Sequence, residues 1–275
     1  MRIEDALTWA TFTLVTSDSA SLDAQVLLAF VLQKETIYLM TWPERDISKE
    51  QQNAFEELII QRLNGVPVAH LTGTREFWSL PLKVNNSTLI PRPDTEILVE
   101  TALQYCSKDA RILDLGTGSG AIILALASEL PNADCLGVDL SASAVQLALE
   151  NGQDLKLSNV YFKQSNWFDA VDGLFDVIVS NPPYIEKGDV HLKQGDLRFE
   201  PLSALVADEN GLADIRKIAQ QAAKYLKNGG YLLFEHGFEQ SVAVRELLTE
   251  LGYVGVNTVK DYGGNDRVTM ALLNK

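Results

Sequence analysis

Beyond Asp94 the chain alternates short apolar runs of strand length with stretches of helical spacing, and no other feature restricts its fold as much. RILDLG (111–116) reads as a buried strand, followed by a helix from Ser119 to Leu130. ADCLGVDL (133–140) is the next strand and SASAVQLALENG the next helix, with Ser141 near its cap and Gly152 at its end. NVYFKQ and FDVIVS (175–180) are further strands. A helix over 212–226 leads to the strand GGYLLFEHG, and a helix over 239–251 leads to closing strands near 253–259 and 267–273. Strands separated by helices make a mostly parallel sheet covered on both faces. The expectation for residues 96–275 is therefore a doubly wound α/β domain.

Residues 1–74 have another texture. Leu22, Val26, Leu27, Phe30 and Val31 recur at helical spacing. Ser48 followed by Gln51 has the form of a capping box ahead of an apolar stripe of Phe55, Leu58, Ile59 and Leu63, and Gly65 and Pro67 stop that helix. The stretch carries no Gly-rich loop and no cluster of catalytic residue types, which suits a small all-helical bundle that binds or positions a target. Between the two, residues 75–95 hold EFWSLPLKV and STLIPRP, short runs with alternating apolar residues. Asn85-Asn86 lies between them as a turn signal, so a β-hairpin linker is expected, closed by Pro91 and Pro93.

Composition narrows the function. The 275 residues hold 23 Lys+Arg against 37 Asp+Glu, a formal charge of −14. Nucleic-acid binding runs mainly on neutralising phosphates, so broad affinity for DNA or RNA is not expected. Cys106 and Cys135 form no C-x-x-C pair, and the three histidines (His70, His191, His236) are scattered, so neither a disulfide framework nor a metal site is expected. The longest apolar runs, such as Ala121 to Ala127, fall far short of a membrane span, and Glu4 and Asp5 stand where a secretory signal is basic and then apolar. The reading is a reduced, cytoplasmic, soluble monomer.

Three groups of residues carry chemistry, each at a strand end. Gly116, Thr117, Gly118, Ser119 and Gly120 follow the first parallel strand, where open α/β sheets bind ligands, and glycines there let the backbone come close to a ligand. Their spacing is G-x-G-x-G rather than the dinucleotide G-x-G-x-x-G, so a bound nucleoside competes with a mere tight turn. Asp139 closes the next strand, where an acid holds ribose hydroxyls or simply caps a helix. Asn181-Pro182-Pro183-Tyr184 follows FDVIVS and is the sharpest feature. Two prolines fix φ and remove N–H donors. The Asn181 side chain and the Pro182 carbonyl can then accept both hydrogens of a planar –NH₂ group, with the Tyr184 ring as a stacking surface.

Taken together, these motifs resemble the class I S-adenosylmethionine-dependent methyltransferases that use N/D-P-P-Y to methylate planar amino groups. EFWSLPLKVNNSTLIPRPDTEILVE, DLGTGSGAI, NPPYI and DYGGNDRVTM resemble more narrowly the HemK-type peptide chain release factor glutamine methyltransferases, over roughly residues 70–275. ADENGL (207–212) departs from the Asp-Gly-Leu expected there, although Asn also suits a tight turn before Gly211. The resemblance implies a Rossmann-like methyltransferase sheet and S-adenosyl-L-methionine as cofactor. It implies that Gly116 to Gly120 cradle the methionine part, that Asp139 holds the ribose and that Trp167 lies against the adenine, while a lone Trp read by itself is more often a core residue. Asn181 would touch both cofactor and substrate, and Asn181 to Tyr184 would hold the target glutamine of a Gly-Gly-Gln loop in a release factor.

A ribosomal-protein glutamine and a DNA adenine are the rival targets, the latter after base flipping. Residues 185–210 hold six acids against three bases and residues 1–74 ten against five, which suits a basic protein loop better than DNA. Four further residues stay open: Glu235 and His236 as structural or lining residues, and Arg92 and Glu96 as substrate contacts or as locks on the hairpin. The loop 185–210 is long enough to be a lid or target contact.

Overall fold

The computed structural model describes residues 1–275, the side chains of His191 and Lys193 excepted. Two compact units emerge: Met1–Thr74 with Lys193–Phe199, and Arg75–Leu192 with Glu200–Lys275.

The first unit is helical: α1 (Ile3–Thr13), α2 (Ala20–Leu32), α3 (Thr36–Thr41), α4 (Lys49–Leu63) and α5 (Val68–Thr72). Ser48 caps α4 through the reciprocal bonds of a capping box with Gln51. Phe55 and Ile59 are fully buried, whereas Leu63 at the end of the same stripe is half-exposed. On α2 the buried residues are Asp23, Ala24, Leu27, Leu28 and Ala29; of the predicted stripe Leu27 is buried and Val31 partly so, whereas Leu22 and Phe30 are exposed. Asp23 can be buried because Arg62 Nε donates to it at 2.7 Å and the Ser17 and Ser19 hydroxyls each at 2.8 Å. The other end of the Arg62 fork reaches Asp196 at 3.4 Å, which ties the segment Lys193–Phe199 to this unit.

A two-stranded sheet of β1 (Thr74–Phe77) and β2 (Leu80–Lys83) comes next. Its turn is Trp78-Ser79, both at positive φ (54° and 58°), not Asn85-Asn86, and STLIPRP forms no strand. Such φ values are those of the turn that matches hairpin twist, where Asn and Gly are the usual residues. Here the Trp78 N–H donates to Glu96 Oε1 at 2.9 Å and the indole N–H to Glu129 at 2.8 Å, so tertiary bonds hold a turn that local preference would not choose.

The rest is α6 (Glu96–Leu103), β3 (Arg111–Leu115), α7 (Ala121–Glu129), β4 (Asp134–Asp139), α8 (Ala142–Asp154), β5 (Val160–Gln164) and β6 (Phe175–Ser180). A short pair, β7 (Ile185–Glu186) and β8 (Val206–Ala207), precedes the single turn α9 (Asp208–Gly211). Then follow α10 (Ala213–Ala222), β9 (Leu226–Glu235), α11 (Ser241–Glu250), β10 (Val254–Lys260) and β11 (Asp266–Leu272). The seven-stranded sheet has the order β10-β11-β9-β6-β3-β4-β5, parallel except for β11 and its pairings. Its two faces carry separate apolar layers. One includes the wholly buried run Ala121–Ala127 of α7, and the other includes Ile215 and Ile218 of α10 and Val244 of α11. The chain proceeds from β3 outward to β4 and β5, then returns to pair β6 on the other side of β3. That reversal opens a crevice at the carboxyl ends of β3 and β6.

Candidate active site

The register levels three strand ends. Leu115 pairs with Ser180, and Ser180 with Phe234, so the residues that follow (Gly116, Asn181 and Glu235) stand side by side along the carboxyl edge. The Ser180 hydroxyl fastens this row by donating to the Leu115 carbonyl at 2.7 Å. A cavity of about 370 Å³ opens there, within the range of small-molecule and cofactor sites.

The glycine turn forms one wall. Gly116, Gly118 and Gly120 all have positive φ (73°, 56° and 86°), a conformation that side-chain-bearing residues rarely adopt. At Gly120 a Cβ would also lie 2.9 Å from Leu124 Cδ1 and 3.2 Å from Ala148, so the close packing of α7 on α8 requires glycine as well. The N–H groups of Gly116 and Thr117 both donate to the Val138 carbonyl at 2.9 Å, and the Thr117 hydroxyl to Asp114 at 2.7 Å. Asp139 accepts from Gly118 N at one oxygen and Ser141 N at the other, each 2.9 Å, leaving each oxygen a further lone pair for a ligand. Ser141 also caps α8, so the capping role and the acidic strand end fall to different residues. Gly116, Thr117, Gly118, Ser119 and Asp139 all line the cavity; Gly120, predicted with them, supports the turn from behind.

Trp167 lines the cavity beside that turn, with positive φ (52°), its ring edge 3.4 Å from where a Cβ on Gly116 would be. Asp214 also lines the cavity, its carboxyl raised by burial against the pull of Lys217 and Trp167. Asn181 and Pro183 line the cavity; Pro182 and Tyr184 do not. Asn181 Nδ2 donates to Thr95 Oγ1 at 3.4 Å. The Tyr184 hydroxyl donates to Glu235 Oε1 at 3.3 Å, and burial, then the Glu235 charge, push its phenol upward. The stacking role predicted for the Tyr184 ring thus meets a side chain anchored behind the cavity wall.

Residues that local sequence pattern did not disclose complete the site. Asn151, 1% exposed on α8, donates to the Ser119 carbonyl at 2.9 Å and accepts from Lys83 N at 2.7 Å, joining the glycine turn to β2. A polar residue in phase with buried Ala144, Leu147 and Ala148 was the available signal. Glu200 accepts from Ile90 N at 2.9 Å and from Arg92 Nη2 at 2.8 Å, so Arg92 and Glu200 hold the Ile-Pro-Arg-Pro segment at the cavity rim. Glu96 locks the hairpin turn instead, and Gly211 allows the approach of the Tyr184 carbonyl. A Cβ at Gly211 would collide with that carbonyl, and Glu209, Asn210 and Gly211 all have positive φ, which is what the Glu-Asn-Gly departure must accommodate. His236 is fully buried between Thr269 Oγ1 (2.8 Å) and the Gly237 carbonyl (2.9 Å), with burial lowering its pKa, so it is a neutral structural group outside the cavity.

Buried polar atoms show what the cavity can hold. Thr88 lines it with a buried hydroxyl that has no protein partner, and Asp114 keeps Oδ1 unpartnered beside the glycine turn. Burial pushes the Asp114 carboxyl up to about 7, the Asp139 charge adding to it and Thr117 opposing. A ligand with a polar head, a ribose and a planar ring fits this donor and acceptor set.

The strand order and the cavity at its switch point define a class I S-adenosylmethionine-dependent methyltransferase. Solved structures share the fold: a methyltransferase from Pyrococcus furiosus superposes with a TM-score of 0.56 at 18% identity, covering 80% of this chain and 98% of that one. A 16S rRNA methyltransferase from T. thermophilus, in complex with AdoMet and guanosine, does so with a TM-score of 0.52 at 19% identity, covering 73% and 50%. A methyltransferase-domain family matches residues 106–259, and the PrmC N-terminal domain family matches residues 5–73. Among curated relatives, release factor glutamine methyltransferases from Shewanella oneidensis and Vibrio cholerae are 56% and 55% identical, each over 98% of this chain and 95% and 96% of theirs. That of Escherichia coli is 50% identical over 92% of both. This chain belongs to the release factor glutamine methyltransferases.

Proposed function

We propose that this enzyme methylates the side-chain amide nitrogen of the glutamine in the Gly-Gly-Gln loop of peptide chain release factors, with Asn181 and the Pro182 carbonyl as acceptors for the amide hydrogens. The observation that carries this reading is the level register of β3 and β6, which sets Asn181 beside the glycine turn on one cavity wall. Relatives named for this activity, at more than half identity over nearly the whole chain, favour a release factor over a ribosomal protein or DNA.

S-adenosyl-L-methionine, when bound, supplies an electrophilic methyl group on a positively charged sulfur. Gly116 to Ser119 would hold its methionine part by close backbone approach, and Asp139 would take the ribose hydroxyls on its free lone pairs. Trp167 presents its ring to the adenine. Asn181 Oδ1 and the Pro182 carbonyl accept the two N–H hydrogens of the target amide. An amide nitrogen is a poor nucleophile because its lone pair is delocalised into the carbonyl; paired acceptors return density to it and fix its direction. Orientation of this kind is worth about 7–11 kcal/mol in well-aligned reactions. The same two acceptors stabilise the positive charge that develops on nitrogen. Pro182 and Pro183 add no competing N–H, and the acidified nitrogen releases its proton to solvent without a strong base.

The acidic helical unit positions the basic target loop, the segment 185–210 contributes to that contact, and the protein acts as a cytoplasmic monomer without binding nucleic acid directly. Methyl-labelled cofactor, incubated with the enzyme, unmethylated release factor, ribosomal proteins and duplex DNA, tests the reading. Label is expected on the Gly-Gly-Gln glutamine; label on DNA or on a ribosomal protein alone overturns the target. Asn181→Ala is expected to lose about 100- to 1,000-fold in turnover with cofactor affinity nearly kept. Undiminished turnover sinks the assignment of Asn181.

A further inference from the structure

Pro182 and Pro183 give the Asn-Pro-Pro-Tyr turn no N–H of their own, so it has to be fastened through its side chains and carbonyls. Among the described residues three side-chain bonds do this: Asn181 Nδ2 to Thr95 Oγ1 at 3.4 Å, the Tyr184 hydroxyl to Glu235 at 3.3 Å, and Gln240 Nε2 to the Tyr184 carbonyl at 3.0 Å. The last is the closest, and Gln240 has no role in the account so far. Its whole amide is engaged. Nε2 donates also to the Asn210 carbonyl at 3.0 Å, and Oε1 accepts from Gly237 N at 2.8 Å. The two hydrogens on the amide nitrogen thus meet one carbonyl each, and the oxygen meets an N–H. Turned the other way, the oxygen would face two carbonyls, so the partners fix the orientation.

Those two carbonyls stand at the two ends of one segment: Tyr184 immediately precedes residues 185–210, and Asn210 closes them. The segment supplies Ser203 and Ala204 to the cavity wall, and its Glu200 holds Ile90 and Arg92 at the rim. Its ends come together closely. Ile185 N donates to the Leu205 carbonyl at 2.9 Å, and a Cβ on Gly211 would collide with the Tyr184 carbonyl and lie 2.6 Å from Gln240 Nε2. Glu209 and Asn210 both have φ of 55°, ahead of Gly211 at 80°. Left-handed backbone at residues with side chains persists only where the surroundings hold it, and such strain gathers at functional sites. We propose that Gln240 is a positioning residue for methyl transfer, whose single –NH₂ group clasps both ends of the segment 185–210 and so fixes the Asn-Pro-Pro-Tyr turn and the cavity wall that the segment supplies. This rests on the reading of that turn as the acceptor of the target amide. Without the clasp the backbone at Tyr184 is free to shift, and the Pro182 carbonyl, two residues earlier, shifts with it. A displacement of about 1 Å at a reacting group costs about 100-fold in rate.

Gln240 is also the residue before α11, and its bond to Gly237 N gives it a rival role as a mere cap for the turn after β9. Two variants separate the roles. Gln240→Glu keeps the length and the acceptor for Gly237 N but removes both donated bonds, and Gln240→Met removes all three without adding charge. The test is methyl transfer to unmethylated release factor at pH 8.5, with kcat and KM measured separately and cofactor affinity measured by calorimetry. Both variants are expected to lower kcat by about 100-fold, with KM and cofactor affinity nearly unchanged. Gln240→Glu with kcat close to that of the unsubstituted enzyme overturns the proposal and leaves the cap role. Gln240→Met with kcat kept overturns it too, since the added charge then explains any loss in Gln240→Glu. A fall in cofactor affinity in proportion to kcat also overturns it, because general damage to the site accounts for both. If Gln240→Glu does not fold, Gln240→Met decides by the same split. Asn181→Ala separates the two claims: if it stays active, the acceptor reading fails; if it is inactive while both Gln240 variants are active, only the role of Gln240 fails.

Discussion

The helical unit and the α/β unit bury polar groups on opposite terms. Asp23 in the helical unit receives one guanidinium and two hydroxyls at 2.7–2.8 Å, a carboxylate satisfied from within its own unit. Three oxygens of the α/β unit (Thr88 Oγ1, Asp114 Oδ1 and Glu235 Oε2) are buried without a partner, all at or behind the carboxyl edge of the sheet. A finished network fastens chain to chain, whereas an unfinished one keeps hydrogen-bonding capacity for a ligand at the expense of stability.

Breaking the finished network should have the largest effect. Arg62→Met leaves Asp23 buried and unpaired, and about 3–5 kcal/mol of stability should vanish from the helical unit. Hydrogen exchange across α2 and α4 measures this, and cofactor affinity is expected to stay constant; a parallel fall in affinity would mean that the two units are not energetically separate. Gly211→Ala attacks the other side. With φ at 80° and a Cβ driven into the Tyr184 carbonyl, it should cost about 100-fold in methyl transfer while exchange in the helical unit is unchanged.

Asp114→Asn probes the cost of the unfinished network through pH. The native carboxyl, raised from 3.8 to about 7, keeps a proton that the unfolded chain releases, so this group's contribution to stability falls as pH rises through that window. The variant has no such charge to bury, and its Tm relative to the unsubstituted protein should be several degrees more favourable at pH 8 than at pH 5. An equal difference at both pH values would show that Asp114 does not titrate as its burial implies. The smallest expected effect is that of Ser48→Ala, about 1 kcal/mol from the lost cap of α4, read by chemical denaturation with cofactor binding intact.

Some of this contrast was legible in the order of residues. The capping box at Ser48 and Gln51, the strands from Arg111 onward, the left-handed glycines and Asn181 at a strand end all follow from local rules of period, capping and turn chemistry. Local rules failed where a distant partner outweighed them. Asn85-Asn86 had the better turn residues, yet the hairpin turns at Trp78-Ser79 because Glu96 and Glu129 hold Trp78 there. Leu22 and Phe30 belonged to the apolar stripe of α2, yet they are exposed while Asp23 joins Leu27 on the buried face, because Arg62 comes from α4 to meet it.

The sequence by itself determined the alternation of strands and helices, the chemistry at each strand end and the family to which they belong. These depend on residues a few positions apart, which meet whatever the rest of the chain does. Only the tertiary structure decided which strand ends lie level and which distant carboxylates serve them. Glu200 reaches Ile90 and Arg92, and Glu235 comes to rest beside Tyr184, through the path of the chain. A parallel sheet brings together residues whose separation is set by its crossovers, and no period in the sequence records that distance.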